Sequence, residues 1–550
     1  MPAPGIGFAA FGLRTRDVSS NMTSPYDTYS SPLASRNASA AMLRLWSPRH
    51  KFNSWRKVWL AVAEAQSRAP GGSPVLTPPA HPTSIGSPAA QPPAPARGSA
   101  PLVTDAQLAE LRAVVNRSGG ITDAELHAAE NYERELRHDV MAHVHALGDS
   151  CPKAKGIIHL GMTSQDVVCN ADLLILSDAL RLINAKTARV VLALADQALR
   201  HLRTPTLGFT HYQPAQPVTV GRRCAHWAAD LHLCLQRVTY IKHLMPFRGL
   251  RGASGTQASF LALWAGETEA IDSAERHLIA ALRDNTDAAE PYPITGQTYP
   301  RVVDTFILAD LASTASVLHK IATDIRLLCN RKELDEPFED KQIGSSAMPY
   351  KRNPMRCERI CGLARFVMNL VGNAYDTAAT QWLERTLDDS SNRRLSLPEA
   401  FLALDGCLDL MHNVASGLVV HEAMVKKNLM AELPFMATEN ILMACVKLGG
   451  DRQHYHELIR VHAQAAGMRV KQEGQNNDLL DRLQADQNFW STARGGPLTS
   501  ALDWDGVMNP INYIGRSVEQ AERFINAVVS PLRERYADEL AKLDHSGPRV

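Results

Sequence analysis

Long stretches of this chain carry apolar residues at helical spacing. The clearest stretch lies between residues 301 and 330, where the intervals alternate between four and three residues: Ile307, Leu311, Thr314, Leu318, Ile321, Ile325 and Leu328. Such a seam packs against partner helices in a bundle. A second seam begins at Ile360, after Asn353-Pro354, a pair suited to the N-cap and first position of a helix. The pattern predicts an all-α protein built round an elongated bundle of long helices.

Interruptions of this pattern predict three helical domains: an N-terminal domain (1–164), a central long-helix bundle (165–419) and a C-terminal domain (420–550). The C-terminal helices are shorter, with breaks predicted at Pro434, at Gly449-Gly450 and at 495–497. Segment 69–101 holds ten of the chain's 32 prolines and one charged residue, Arg97. Such a segment buries too little apolar surface to offset its ordering entropy. It is interpreted as a disordered insertion, and 1–25 as a disordered tail; an interaction of the prolines with a polyproline-binding partner is the alternative.

Charge and cysteine usage narrow the functional classes. Lys plus Arg number 58 against 57 for Asp plus Glu, a net charge of +1, which argues against a general nucleic-acid binder. Nine cysteines without a C-x-x-C pair favour reduced thiols in a cytoplasmic protein over zinc or disulfides. The sequence has no run of 18 or more apolar residues, so no membrane span is predicted. The first 40 residues weakly resemble a transit peptide, but no basic amphipathic helix is evident there.

Two polar segments in the N-terminal half could carry chemistry. Segment 137–145 has three histidines, which suggests a metal site, but their spacing does not match H-E-x-x-H. Structural histidines, or an anion site built on Arg137 and His138, are the alternatives. Segment 161–166 places hydroxyl residues after a glycine at a predicted helix start. There they either cap the helix or bind an anion, and the sequence favours neither.

Two further polar segments follow. His211 lies on a segment rich in proline and glutamine, where it acts either as a general acid or base or as a structural residue. Segment 344–354 starts with glycine, contains Ser345, Ser346, Lys351 and Arg352, and leads into a predicted helix. A helix N-terminus beside two cations is a good site for an anion or a developing oxyanion. A mobile surface loop is the alternative interpretation.

The string Gly344–Pro354 resembles the G-S-S-x-M-P-x-K-x-N-P loop of the fumarase/aspartase superfamily. Tyr350 and Arg352 within it make the loop resemble that of the adenylosuccinate lyases in particular, in their animal and fungal form. Six more segments agree with that family in the same order and extend the resemblance to roughly residues 25–530: 31–36, 137–145, 159–164, 208–216, 255–259 and 381–390.

The resemblance implies a reaction and an assembly. The reaction is elimination of fumarate from adenylosuccinate, giving AMP, and from succinylaminoimidazole carboxamide ribotide (SAICAR), giving its carboxamide (AICAR). The assembly is a homotetramer with a shared central bundle, in which three subunits contribute to each active site. The expected partners are therefore small-molecule substrates, with no nucleic acid and no membrane. No metal and no organic cofactor is implied.

The resemblance also assigns roles to residues. Ser345 matches the base and His211 the acid, while Lys351 and Asn353 match positions that stabilise the carbanion. His138 would lie near the phosphate or assist the acid. The remaining matched positions bind the substrate: Arg36, Arg137, Asp139, Thr163, Ser164, Gln257, Arg359, Arg385, Ser390 and Arg394.

The sequence departs from the family pattern in two places. Asn37 stands where the family often has tyrosine, and the insertion 69–101 has no counterpart. Three rival functions stay open at this stage. They are another lyase of the superfamily, such as argininosuccinate lyase or fumarase, a non-enzymatic scaffold on the same fold, and a nucleotide-sensing module that binds without releasing fumarate.

Overall fold

The computed structural model describes residues 27–68, 101–282, 290–339, 341–490, 502–544 and 547–548. The predicted tail at 1–25 and the predicted insertion, apart from Pro101, lie outside these residues. The helical pattern on either side of the insertion is confirmed, because one helix ends at Arg68 and the next begins at Asp105.

The N-terminal part consists of helices that are capped by their own sequence. Thr104 and Thr122 each accept a hydrogen bond from a backbone N–H of the following first turn, and Gln107 and Glu125 complete two capping boxes. A short π-helix, Leu33–Asn37, precedes the first α-helix. The helices of this part are α1 (Ala40–Leu45), α2 (Pro48–Arg68), α3 (Asp105–Val115), α4 (Asp123–Leu136) and α5 (Asp139–Ser150).

The central part contains the longest helices of the described chain. They are α6 (Ser164–Arg200), α7 (Val220–Ile241), α8 (Ala258–Leu263), α9 (Thr268–Leu282), α10 (Val302–Asn330), α11 (Met355–Asn369), α12 (Val371–Ala379) and α13 (Asp388–Ser416). Helices α6, α7, α10, α11 and α13 pack together as the bundle. The predicted seam of α10 is confirmed, since all seven of its members, from Ile307 to Leu328, are buried. Burial of such a stripe is what stabilises a long helix.

Two small antiparallel sheets are added to the predicted all-α architecture. Strands β1 (Pro205–Thr210) and β2 (Gln213–Thr219) form a hairpin, and β3 (Leu334–Asp335) pairs with β4 (Val419–Val420). His211 and Tyr212 form the hairpin turn with φ of 51° and 57°. Positive φ at both turn residues matches the right-handed twist of the flanking strands. The helical periodicity could not reveal strands this short, yet the fold class itself is confirmed.

The C-terminal part has a separate small core, which includes Ile441, Tyr455 and Phe489. Its helices are α14 (Glu422–Met436), α15 (Thr438–Lys447), α16 (Arg452–Glu473), α17 (Leu479–Ala485), α18 (Gln487–Trp490), α19 (Trp504–Val507), α20 (Ser517–Phe524), α21 (Ser530–Arg535) and α22 (Ala537–Ala541). Helix α20 returns to pack on α7. The three domain boundaries stay a prediction.

The predicted break at Pro434 is wrong, whereas the break at Gly449-Gly450 is confirmed. Helix α14 continues through Pro434 and ends at Met436, and a bend of 44° separates it from α15. A proline removes one backbone donor and strains the preceding turn, so it bends this helix close to its end. The predicted break at 495–497 lies outside the described residues.

One described helix, α10, has the length and apolar composition that a membrane span needs. The bent pair α14–α15 meets the same criteria only if its two helices are counted together as one span. The most apolar window of α10 is 56% buried within the protein. A core helix of a bundle meets the same test, so this observation is weak evidence for a span.

Candidate active site

A cavity of about 380 Å³ lies where five helices begin. Its lining includes residues from the first turns of α2, α5, α6 and α13 and from the N-cap of α10. Unpaired backbone N–H groups and the positive dipole end make each helix start favourable for an anion. Six of the predicted site residues line this cavity: His138, Asp139, Ser164, Arg385, Ser390 and Arg394.

His138 is held in one orientation by the helix that it caps. Its Nδ1 accepts a hydrogen bond from the Met141 N–H at 3.3 Å. A neutral imidazole with Nδ1 as acceptor carries its proton on Nε2. That nitrogen lies 3.4 Å from the hydroxyl oxygen of Ser164. In its neutral form His138 therefore presents an N–H donor, which suits an anionic ligand. Arg137, the exposed C-cap of α4, does not line the cavity.

Arg394 and Asp139 form an ion pair at the cavity wall, with Nη2 2.6 Å from Oδ2. Burial opposes ionisation of Asp139, but the hydrogen bond and charge of Arg394 outweigh it and lower the pKa of the carboxyl group. This pair ties α13 to the start of α5.

Arg385 is positioned by two amides. It donates to Gln297 Oε1 at 2.7 Å, and the Gln165 amide oxygen, in the orientation that satisfies its neighbours, accepts from both terminal nitrogens at 3.2 Å. Gln297 in turn donates to the carbonyl of Ala253 at 2.8 Å. Neutral amides position the guanidinium without cancelling its charge, and Nη2 also lies 3.9 Å from Asp389 Oδ1.

Two further arginines of the cavity lining are buried and were not predicted. Arg301 pairs with Asp389 at 2.8 Å, and Arg393 pairs with Asp304 at 2.7 Å and with Asp172 at 3.2 Å. Buried charges of this kind must be paired, so we assign these arginines to the framework of the site. The sequence offered only the Arg393-Arg394 doublet as a signal and could not show which of the two is buried.

Thr163 and Gln257 lie beside the cavity rather than in its wall. Thr163 is the N-cap of α6, and its N–H donates to Asp166 Oδ2 at 2.7 Å. The other oxygen of Asp166 accepts from the backbone N–H groups of Arg251 and Gly252 at 2.8 and 3.1 Å. Segment 161–166 therefore caps α6, one of the two roles that the sequence left open, and Asp166 anchors the segment that leads to Gln257. Gln257 itself donates to the carbonyl of Leu250 at 3.1 Å.

Glu275 on α9 supports the same segment from below. Its Oε1 accepts from the Leu250 N–H at 2.7 Å, and Oε2 lies 3.4 Å from Arg251. Burial nevertheless raises the pKa of this carboxyl group to about 7. Glu275 was not predicted, since nothing in the sequence shows that it is buried.

The loop 344–354 closes on itself before α11. Asn353 donates to the carbonyl of Gly344 at 3.0 Å, and Ser345 Oγ accepts from the Met348 N–H at 3.2 Å. A Cβ on Gly344 would lie 2.2 Å from the carbonyl oxygen of Lys351, so only glycine permits this closure. The predicted helix start at Asn353-Pro354 is displaced by one residue, because Pro354 is the N-cap and α11 begins at Met355. Asn353 closes the loop instead of capping the helix.

Arg36 and Arg359 approach each other at a different place. Arg359 Nη2 donates to Asn37 Oδ1 at 2.9 Å and to the Arg36 carbonyl at 3.5 Å. Burial, and then the charge of Arg36, lower the pKa of Arg359. Asn37, which replaces the tyrosine of the family pattern, therefore orients Arg359 through its amide.

The structure of a single chain does not bring the predicted catalytic residues and the cavity residues together at one site. Ser345, Lys351 and Asn353 lie on the loop before α11, His211 lies at the exposed tip of the β1–β2 hairpin, and none of them lines the cavity.

The histidines of segment 137–145 also lie in different surroundings. His143 is buried and stacks on Phe52 with ring centroids 3.6 Å apart, and burial lowers its pKa to about 4. Within the described ranges, no group of three or more His, Cys, Asp or Glu residues is arranged to hold a metal ion.

Known proteins share sequence with this chain over most of its length. A family model described as lyase matches residues 121–369, and one described as adenylosuccinate lyase C-terminus matches 434–524. The chain is 45% identical to adenylosuccinate lyase of Schizosaccharomyces pombe, over 92% of this chain and 95% of the relative. It is 42% identical to that of Saccharomyces cerevisiae, over 94% and 99%.

Solved structures show the same fold at low sequence identity. A fumarate lyase from Mesorhizobium sp. BNC1 matches with a TM-score of 0.69 and 21% identity, over 91% of this chain and 99% of that one. The 3-carboxy-cis,cis-muconate lactonizing enzyme of Pseudomonas putida matches with 0.71 and 23%, over 92% and 99%. These two likenesses concern the fold, whereas the two yeast relatives establish the family. The chain belongs to the adenylosuccinate lyase family of the fumarase/aspartase superfamily.

Proposed function

We propose that this protein eliminates fumarate from adenylosuccinate, giving AMP, and from SAICAR, giving AICAR. The family membership supports a lyase acting on a small molecule. The observation that carries the proposal is the cavity, in which His138, Ser164, Arg385, Ser390 and Arg394 meet at helix starts. Both substrates carry two carboxylates and a phosphate, and a site of this composition attracts such anions.

The elimination needs one proton removed and one supplied. A base takes the proton from the carbon beside a carboxylate, and the electron pair of that C–H bond stays on the carbon as a carbanion. This pair forms the double bond of fumarate as the C–N bond breaks, and an acid protonates the departing nitrogen. We assign the base to Ser345 and the acid to His211. A serine alkoxide forms only with nearby positive charge and hydrogen-bond donors, which Lys351 and the backbone N–H of Met348 would supply.

Lys351 and Asn353 would also stabilise the carbanion before the C–N bond breaks. Negative charge then develops on the adjacent carboxylate, and positioned donors lower the energy of that state more than that of the ground state. Closure of the 344–354 loop would exclude water during this step. Arg36, Arg137, Thr163, Gln257 and Arg359 would complete substrate binding.

We further propose that the active site forms in a homotetramer, with residues from three subunits. The cavity lining holds neither Ser345 nor His211, and both lie on exposed segments of this chain. A neighbouring chain can therefore bring them to the cavity. The protein is proposed to act in the cytoplasm, without a metal or organic cofactor, nucleic acid or membrane.

An assay of the purified protein with adenylosuccinate tests this function. We expect the absorbance change of AMP and fumarate formation, with no turnover of argininosuccinate. Turnover of argininosuccinate alone would assign the protein to the rival lyase. Binding of adenylosuccinate without fumarate release would favour the sensing module, and neither binding nor release would favour the scaffold.

A further inference from the structure

Lys51 lines the candidate cavity, although the family resemblance did not draw attention to it. It lies in the first turn of α2 and lines the same cavity as Arg385 and Arg394. The only signal in the sequence is the basic run Arg49-His50-Lys51 directly after Pro48.

The ammonium of Lys51 forms no ion pair or hydrogen bond with the described residues. Two nearby carboxylates are already engaged, Asp139 by Arg394 and Asp172 by Arg393. Lys51 Nζ instead lies 5.3 Å from the ring centroid of Phe52 and 5.0 Å from that of Trp55. Aromatic faces hold a cation in place without using its N–H donors. The donors therefore remain free for a ligand.

The position of Lys51 is electrostatically unfavourable without such a ligand. The first turn of α2 has no acidic residue, and a cation at a helix N-terminus opposes the helix dipole. Arg49 in the same turn is compensated by an ion pair with Asp123, whereas Lys51 is not. Burial, and next the charge of Arg394, lower the pKa of Lys51. A local conflict of this kind is expected where a residue is retained for function.

The charge balance of the cavity identifies the ligand class. Its lining holds five cations, Lys51, Arg301, Arg385, Arg393 and Arg394, against three carboxylates, Asp139, Asp172 and Asp389. Each of these carboxylates pairs with an arginine, and Asp389 Oδ1 also lies 3.9 Å from Arg385 Nη2. Arg393 pairs in addition with Asp304, which lies outside the lining. Cations therefore outnumber carboxylates even when Asp304 is counted, and among the described residues Lys51 is the lining cation without an ion pair. A phosphate monoester, which carries about −1.5 to −2 at neutral pH, suits such a site.

We propose that Lys51 is a substrate-binding residue that holds the phosphate group of the nucleotide, together with Arg385. This inference rests on the proposed function, because it takes AMP as the product. The compact ammonium acts as a point charge between phosphate oxygens, while Arg385 adds a second positive charge.

Calorimetric titration with AMP and with adenosine tests the assignment without any turnover. We expect Lys51→Met to weaken AMP binding ~10- to 100-fold, the range of a lost charged hydrogen bond. Adenosine, which lacks the phosphate, should bind within about twofold of wild type, since uncharged contacts are unchanged. Lys51→Arg should retain most of the AMP affinity because it keeps the charge. The matched control is Lys57→Met, which removes an exposed lysine of the same helix outside the cavity.

Steady-state kinetics give a second readout. For adenylosuccinate, Lys51→Met should raise KM while kcat changes little, because the phosphate is bound equally in the ground state and the transition state. Should Lys51→Met fold poorly, as judged by circular dichroism, Lys51→Gln keeps the length of the side chain and carries the same expectations.

Three results would overturn the proposal. One is equal weakening of AMP and adenosine, which indicates a merely structural role. Another is unchanged AMP affinity in a folded variant. The third is weaker inhibition by fumarate with unchanged AMP binding, which would show that Lys51 binds a carboxylate of the substrate instead of the phosphate. If wild-type protein releases no fumarate, the proposed function fails, and the ratio of AMP to adenosine affinity still decides the role of Lys51.

Discussion

The cavity and the two exposed segments, the 344–354 loop and the β1–β2 hairpin, carry different halves of the predicted chemistry. The cavity side chains are fixed by long-range contacts, such as Arg394 to Asp139 at 2.6 Å and Arg385 to Gln297 at 2.7 Å. Within the described part of the chain, the side chains of Ser345 and Asn353 form their hydrogen bonds inside their own loop. Binding groups are thus preorganised within one chain, while the proposed acid and base lie on segments free to meet another chain.

The strongest test of this comparison is Ser345→Ala. We expect kcat to fall by ~10³-fold or more while KM changes little, because the residue is proposed to act in the transition state and lies outside the cavity that binds substrate. Steady-state kinetics with adenylosuccinate measure both constants. Ser346→Ala, the neighbouring hydroxyl, is the matched control. A Ser345 variant that keeps about a tenth of wild-type kcat would show that another group removes the proton.

Mixing His211→Ala with Ser345→Ala tests whether separate chains supply the acid and the base. After reversible dissociation, random tetramers of the two inactive proteins should contain some sites with both native residues. Activity should then return to a fraction of the wild-type value, on the order of a quarter if the two chains mix evenly and each site takes one residue from each of two chains. Mass spectrometry establishes that mixed tetramers formed. Mixed tetramers as inactive as their parents would contradict the shared site and leave the chemical roles untouched.

The pH dependence of stability tests Glu275, which belongs to the part of the molecule that is fixed by long-range contacts. Its folded-state pKa of about 7 lies above the value near 4.5 of an unfolded chain. As pH rises from about 4.5 to 7, the unfolded chain releases this proton first, so the group lowers stability over that window, by about 3 kcal/mol in total. Glu275→Gln removes the titration and should flatten this fall.

Chemical denaturation of both proteins between pH 5 and pH 8 measures the difference. Glu457→Gln is a suitable control, because Glu457 is exposed and pairs only with Arg460 on the surface. Parallel pH profiles for wild type and Glu275→Gln would show that the buried carboxyl group does not set the slope.

The smallest effect is expected from removing residues 71–99, which carry no predicted site residue. Activity and the mass of the assembly should stay close to wild type. Long surface insertions add little closure entropy, about 0.6 kcal/mol for each doubling of length. Light scattering and kcat measure the outcome. Loss of the tetramer would give the insertion a structural role.

The sequence by itself determined the helical architecture and the family, and from these it suggested the chemistry. The apolar seam of α10 and the loop 344–354 are local patterns, and local patterns follow from the geometry of one helix or one turn. The departure at Asn37 was also visible, although only the structure shows its amide holding Arg359.

Tertiary structure alone decided which of these residues meet. The cavity joins Lys51, His138, Ser164 and Arg394, which are far apart in sequence and come together only because five helices start at one place. Periodicity along a chain carries no information on where two distant helix ends pack. Nor does it show which charge is buried, and so the roles of Arg301, Glu275 and Lys51 depended on burial and pairing, which only packing creates.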